Sequence, residues 1–204
     1  KRKQEKNFER VMLLLDALNN ISGISVNRTC GLHVHVGVEN WEVSNFKNLV
    51  KRYAKFEKSL DSVMPNSRRR NNGSYCESNF LHYKPLKDIY KDIDRQKTIR
   101  QLTDECGHSR YTKLNLQSFW KHGTVEFRHH SGTTNPEKIS NWLKVCLAMC
   151  EAGDAKRVVK VDQDSNLQEN NYTLQVFFNG LAKASDLITT DLRLFYNRRA
   201  RSVA

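Results

Sequence analysis

The chain has 204 residues, of which 38% are hydrophobic and 27% are charged. These values resemble those of globular domains and exclude disordered, collagen-like and low-complexity classes. The length predicts a single domain over residues 1–204. Apolar runs such as residues 11–15 are far shorter than the roughly 20 residues that span a bilayer, so no membrane segment is expected.

Basic residues outnumber acidic ones by 34 to 22, which gives a net charge of +12. Such a charge favours polyanionic partners, although a basic solubilising surface explains it equally well. Five cysteines, an odd number with no CxxC pair, argue against a disulfide framework or a zinc ribbon. A reducing, cytoplasmic location is therefore expected, with Cys146 and Cys150 as buried thiols.

The first third of the chain predicts a helix, a strand and a second helix. Apolar residues at three- and four-residue steps indicate an amphipathic helix over residues 8–18. Residues 30–38 alternate between apolar residues and Gly or His, which is the period of a strand with one core face. The second helix is expected to begin after an N-cap at Ser44 and to end before Pro65.

The middle of the chain begins with a loop over residues 64–76, which is rich in turn formers and arginine. One helix is predicted over residues 86–102. A hairpin of two strands, residues 111–119 and 124–130, should follow. Glu126 and Arg128 share the polar face of the second strand because side chains two apart point the same way.

Asn135 and Pro136 predict the N-cap and first residue of a helix that runs to about residue 151. Residues 154–171 are strongly polar and are interpreted as a loop within the domain. Two helices are expected over residues 174–199, and Ser185 is the predicted cap of the second. The exposed side of that helix should carry Arg193, Arg198, Arg199 and Arg201.

His33 and His35 form the clearest local pattern that indicates a functional site. Side chains two apart on a strand stand about 7 Å from each other on one face, so two imidazoles can converge on one ion or ligand. Gly31 and Gly37 on the same face leave room for a cofactor to approach the backbone. The alternative is that both histidines are half-buried and hydrogen-bonded without a ligand.

Glu126 and Arg128 pair a hard carboxylate, which suits a divalent cation, with a guanidinium that can fork onto phosphate oxygens. An exposed ion pair is the simpler alternative. Residues 67–72 place three arginines among turn formers that leave backbone amides free, which predicts a polyphosphate cradle. A solvated run of charge is the competing interpretation.

Four segments occur in a suggestive order: CGLHVHVG at residues 30–37, MPNSRR at 64–69 followed by Asn72, Tyr75 and Cys76, LNL at 114–116 and GTVEFR at 123–128. Together with SGT at residues 131–133 they resemble the putative amidoligase family. That family belongs to the carboxylate-amine ligases and is similar to glutamine synthetase and glutamate-cysteine ligase. The motifs cover about residues 26–142.

The resemblance implies an α+β fold like the glutamine synthetase catalytic domain, an antiparallel sheet with helices packed on one side. It implies a ligase that depends on ATP and on a divalent metal, Mg²⁺ or Mn²⁺. Such an enzyme joins a carboxylate and an amine, as small molecules or peptides, through an acyl phosphate.

By the same resemblance, His33 and Glu126 would be metal ligands with catalytic roles, and Arg128 would hold the phosphate that is transferred. Arg68 and Arg69 would correspond to arginines that bind ATP phosphates. His35 and Asn72 are assigned to the same nucleotide site.

One part of the family pattern is not found, an early strand with paired acidic residues. The chain opens with a predicted helix, and Glu5 is the only acid among residues 1–8. We expect a segment upstream of Lys1, or a second chain, to complete the metal site. The alternatives are a non-catalytic basic binding or structural module that keeps the ligase fold, and a metal-dependent phosphodiesterase.

Overall fold

The computed structural model describes residues 2–69, 75–80, 84–107, 109–155 and 172–203, with side chains from residue 8 onward. Its eight α-helices and three strands in this part of the chain are α1 Arg2–Asn19, β1 Gly31–Gly37, α2 Val43–Asp61, α3 Leu86–Arg95, α4 Ile99–Cys106, β2 Leu114–Asn115, α5 Ser118–His122, β3 Thr124–Ser131, α6 Pro136–Asp154, α7 Leu174–Ala182 and α8 Thr190–Val203. A short 3-10 helix, Asn66–Arg68, lies between α2 and α3. The predicted polar loop at 154–171 falls almost wholly outside the described residues.

The fold is α+β, with a three-stranded antiparallel sheet in the order β1-β3-β2. The long pairing joins β1 to β3, and its register changes between Leu32 and Val34. One face of the sheet enters the hydrophobic core through Val34, Leu114 and Phe127, while α2 and α6 supply much of the rest. The three strands therefore have one apolar face and leave the other free for polar side chains.

The predicted strand and the long helices are confirmed, with small shifts at their ends. Pro136 begins α6, and the Asn135 side chain accepts a hydrogen bond from the Lys138 backbone N–H at 2.9 Å, as an N-cap does. The prediction of Ser44 as the cap of α2 is wrong. The N-cap is Glu42, two residues earlier, and the Glu42 backbone N–H donates to the Asn45 side chain at 3.0 Å.

The single helix predicted over residues 86–102 is wrong, because the structure has α3 and α4 in its place. Gln96 adopts an extended backbone, and Thr98 caps α4 by accepting a hydrogen bond from the Gln101 N–H. The local capping bond thus competes successfully with a continuous helix.

The predicted hairpin is also wrong in its first strand. Only Leu114 and Asn115 form β2, and the chain then turns through α5 before it enters β3. Gly123 ends α5 with φ +65°, a left-handed conformation that glycine adopts without strain.

Two expectations for the end of the chain also need correction. α8 begins at Thr190, so Ser185 does not cap it, and the Thr189 hydroxyl instead accepts a hydrogen bond from the Leu192 N–H. Arg193 and Arg199 are half-buried rather than exposed. Arg193 Nη1 donates to Asn179 Oδ1 at 2.6 Å, and Arg199 Nε donates to the Val63 carbonyl at 2.7 Å. Among the described residues, no helix combines the length and the apolarity needed to cross a membrane.

Candidate active site

The polar face of the sheet gathers four of the predicted site residues. His33 and His35 lie on β1, and Glu126 and Arg128 lie on β3. The antiparallel register places His35 directly opposite Glu126. The alternation of both strands, which sends Val34 and Phe127 into the core, is what brings these polar side chains to one place.

Glu126 is the centre of this group. Its Oε1 lies 2.8 Å from Arg128 Nη1, 3.1 Å from His33 Nδ1 and 3.6 Å from His35 Nε2. The residue is only 5% exposed. Burial alone would raise the pKa of Glu126, but hydrogen bonds and the nearby guanidinium outweigh it and lower the pKa to about 2. The carboxyl group is therefore ionised throughout the physiological range.

Asn115 completes the surroundings of Glu126. The Asn115 side-chain NH₂ group donates to Glu126 Oε2 at 2.6 Å, and the two residues are register partners across β2 and β3. Sequence reasoning assigned no role to Asn115, although it is the middle residue of the LNL motif. The signal that could have identified it is its position opposite Glu126 on the neighbouring strand.

Arg128 offers unused hydrogen-bond donors. Its Nη1 is engaged by Glu126, while its buried Nε has no hydrogen-bond partner. A buried guanidinium nitrogen without a partner is unfavourable by a few kcal/mol, on the order of 1–3. The same guanidinium carries the positive charge that an oxyanion would pair with.

His33 approaches Glu126 with Nδ1, and the same nitrogen lies 3.3 Å from Arg128 Nη1. One nitrogen cannot both donate and accept, so we place the proton on Nδ1, where it is donated to the ionised carboxylate. In the neutral form of this ring, Nε2 is the nitrogen without a proton. It sits over Gly31, where a Cβ atom would lie 2.7 Å from it, so the position of this ring requires glycine there.

The second imidazole is held by hydroxyl groups. His35 Nδ1 lies 2.9 Å from Thr124 Oγ1 and 3.1 Å from Ser118 Oγ, and these two oxygens are 2.7 Å apart. Ser118 begins α5, so the helical turn that replaces the expected strand also fixes His35. The imidazole thereby keeps Nε2 directed at Glu126.

The two described arginines of the loop have different surroundings. Arg68 is buried, and its Nη2 donates to the Cys30 carbonyl at 2.7 Å and approaches Gly31. It therefore lies beside His33, and its buried Nε has no hydrogen-bond partner. Arg69 turns away from this group, because it donates to the Met64 carbonyl at 2.6 Å and to Val203 in α8. Asn72 lies outside the described residues.

These side chains fit a divalent cation only in part. His33 and Glu126 offer one nitrogen and one carboxylate, but Arg128 already occupies Oε1. Within the described residues, no group of three or more His, Cys, Asp or Glu is arranged to hold a metal ion. Mg²⁺ prefers a set of oxygen ligands, which these residues alone do not supply.

A network of buried charges lies between the sheet and α2. Lys113 is fully buried, and its Nζ donates to Glu57 Oε1 at 3.0 Å and to Asp61 Oδ1 at 2.7 Å. His129 Nε2 donates to the same Asp61 oxygen at 2.6 Å, while its Nδ1 accepts from Tyr53 at 2.8 Å. Sequence reasoning missed this network because none of its members stands in a recognisable pattern.

This network strongly favours the ionised form of Asp61 over the protonated form. Burial alone would raise its pKa, but the hydrogen bond from His129 and the positive charge of Lys113 lower it to about 2. Burial also lowers the pKa of His129, which is consistent with a neutral imidazole that donates through Nε2. The strands below the candidate site are thus tied to α2 by paired charges.

Comparison with known proteins gives one match. A family model described as a putative amidoligase enzyme matches residues 3–150, which is more than two thirds of the chain. The comparisons with curated proteins and with solved structures gave no match.

Proposed function

The chain belongs to the putative amidoligase family, and we propose that it is an ATP-dependent ligase that forms an amide bond between a carboxylate and an amine. We further propose that residues 1–204 form one catalytic domain with a fold like that of glutamine synthetase. The single observation that carries the proposal is the convergence of His33, Arg128 and His35 on Glu126 Oε1.

The chemistry requires activation of the carboxylate, which is a poor acyl donor. One of its oxygens attacks the γ-phosphorus of ATP, ADP leaves, and an acyl phosphate forms. The amine nitrogen then attacks the acyl carbon, loses a proton, and inorganic phosphate leaves. Phosphoryl transfer depends mainly on positioning and on charge stabilisation, so cationic side chains at the transferred group matter most.

Arg128 and Arg68 are suited to that task. Each has a buried Nε without a hydrogen-bond partner, and both lie beside His33. We assign Arg128 to the transferred phosphoryl group and Arg68 to the remaining phosphates of ATP. Glu126 keeps Arg128 in place. We assign His33 Nε2 to bind a ligand atom or to accept a proton.

We propose that the reaction uses Mg²⁺ or Mn²⁺, with His33 and Glu126 as part of its ligand set. When bound, a divalent cation would neutralise charge on the phosphate oxygens. Further oxygen ligands are needed, and we propose that an acidic segment upstream of Lys1 or on a second chain supplies them. Among the described strands β1 lies at one end of the sheet, which is the position where such a segment could pair.

The test is release of ADP in the presence of Mg²⁺, a panel of amino acids and peptides as carboxylates, and a panel of amines. Wild-type protein should release ADP only when both substrates are present. Glu126→Gln should reduce the rate on the order of 100-fold, because Arg128 and His33 lose the charge that positions them. The matched control is Glu137→Gln, which changes an exposed glutamate on α6.

Equal rates for wild type and Glu126→Gln would remove Glu126 from the mechanism. A second candidate function, a non-catalytic basic binding module, is favoured by the net charge of +12 and the incomplete metal ligand set. It predicts no turnover, with binding of polyanions that weakens steeply with salt and is indifferent to Glu126→Gln.

A further inference from the structure

Two tyrosines extend the candidate active site beyond Arg128. The Arg128 guanidinium carbon lies 5.8 Å from the centre of the Tyr111 ring. The Tyr75 ring contacts Tyr111 edge to face, with 5.4 Å between the ring centres. Successive contacts therefore connect His33 to Arg128, Arg128 to Tyr111 and Tyr111 to Tyr75.

The position of Tyr75 is fixed by the backbone beside it. The Glu77 N–H donates to the Tyr111 carbonyl at 2.9 Å, and the Glu77 carbonyl accepts from the Lys113 N–H at 2.8 Å. Cys76, which lies between Tyr75 and Glu77 in the chain, is buried, and its Sγ lies 3.6 Å from the Arg128 carbonyl oxygen. The segment that carries Tyr75 is thus attached to β3 and to the residues just before β2.

The Tyr111 and Tyr75 rings differ in the side chains that cover them. The guanidinium of Arg110 lies 4.8 Å from the centre of the Tyr111 ring, and Arg110 Nη2 donates to the Tyr111 hydroxyl at 2.5 Å. Tyr75 is 61% exposed, and its described ring contact is the edge-to-face one. Tyr75 is therefore an exposed aromatic side chain separated from Arg128 by one ring, that of Tyr111.

An exposed aromatic ring beside cationic groups matches the chemistry of a nucleotide. A planar base stacks on an aromatic face regardless of base identity, whereas phosphates are bound by guanidinium groups. A single exposed aromatic residue needs no explanation by itself. Here the ring is held by Tyr111 at the end of a site whose arginine has an unpartnered donor.

We propose that Tyr75 is the base-stacking residue of the nucleotide site, with the purine on its ring face and the phosphates toward Arg128. Tyr111 holds the Tyr75 ring in place from its edge. This inference rests on the proposed ATP-dependent function and adds to it the position of the base.

The experiment compares the binding of ATP and of inorganic tripolyphosphate by titration calorimetry at one fixed salt concentration. Tripolyphosphate carries the charges of ATP without the base. Tyr75→Ala should weaken ATP binding about tenfold, the typical loss when a stacking ring is removed, and leave tripolyphosphate binding unchanged. Tyr75→Phe should bind ATP like wild type, because it keeps the ring.

The matched control is Trp120→Ala, which removes another exposed ring, one whose cationic neighbour is Arg100 rather than Arg128. It should leave both affinities unchanged. If wild type binds both probes and Tyr75→Ala binds ATP equally well, the stacking assignment is wrong while the proposed function stands. Equal weakening of both probes by Tyr75→Ala would also overturn it. If wild type binds neither probe, the nucleotide-dependent function fails and the stacking assignment fails with it.

Discussion

Replacing Lys113 by Met should destabilise the fold more than any change to a surface ion pair. The Lys113 side chain is fully buried, and its ammonium group contacts two carboxylates, Glu57 at 3.0 Å and Asp61 at 2.7 Å. Methionine keeps the length of the side chain but removes its positive charge. The two carboxylates would then be buried with their compensating cation gone.

The expected loss can be bounded from the structure. Removal of one partner from a buried ion pair destabilises a protein by about 3–5 kcal/mol. The pKa of Asp61, lowered from 3.8 to about 2, corresponds to roughly 2 kcal/mol of stabilisation, and His129 supplies part of it. We therefore expect Lys113→Met to lower the free energy of unfolding by about 3 kcal/mol or more.

Urea unfolding, followed by circular dichroism, measures this loss. The matched control is Lys91→Met, because Lys91 pairs with Asp88 on an exposed helix surface, where a bridge contributes about 0.5 kcal/mol or less. A triple variant, Lys113→Met with Glu57→Gln and Asp61→Asn, also removes the two carboxylate charges and should recover part of the stability. The reasoning is refuted if Lys113→Met is no more destabilising than Lys91→Met, or if the triple variant recovers nothing.

Two further predictions concern acid stability and glycine positions. In the folded protein, burial lowers the pKa of His130 to about 4, and the pKa values of the Asp61 and Glu126 carboxyl groups are lowered to about 2. All three groups therefore bind protons more readily in the unfolded chain. The urea midpoint should therefore fall between pH 6.5 and 4 through His130 and again between pH 4.5 and 2 through the carboxylates. Gly132→Ala should destabilise the fold by about 1–3 kcal/mol, because the new Cβ would lie 2.4 Å from the Cys30 Cβ.

Each of these predictions has its own comparison. A urea midpoint that stays constant from pH 7 to pH 3 would contradict the assigned pKa directions. Gly37→Ala is the matched control for Gly132, since a Cβ at position 37 meets no atom within 4 Å and the effect should stay within about 0.5 kcal/mol. Similar melting temperatures for the two alanine variants would show that the contact with Cys30 is easily relieved.

The periodic elements were predictable because a single physical cause dominates each of them. Alternation between apolar and polar residues produces β1, and the Asn135 cap followed by proline produces the start of α6. The convergence of His33 with Glu126 could also be predicted, since both residues were expected on strand faces. Their register sets the actual distances. It depends on pairing between distant segments and so cannot be predicted from either segment alone.

The remaining errors arise where local bonds or tertiary contacts decide the outcome. Thr98 divides one predicted helix into two by a single capping bond. Arg69 and Arg68 are neighbours in a run of arginines, yet their side chains go to different partners because α8 supplies a carbonyl to only one of them. The same holds for Lys113, whose burial depends on two carboxylates of α2 that are far away in sequence.

The contacts of α8 have a practical consequence for protein production. Arg199 and Arg69 join this helix to the segment that carries Arg68, through the Val63 and Val203 carbonyls. A shortened version that ends where the family match ends, at residue 150, would lack this clamp. Removal of residues 199–203 should therefore loosen the segment that carries Arg68 and Arg69 before it affects the sheet.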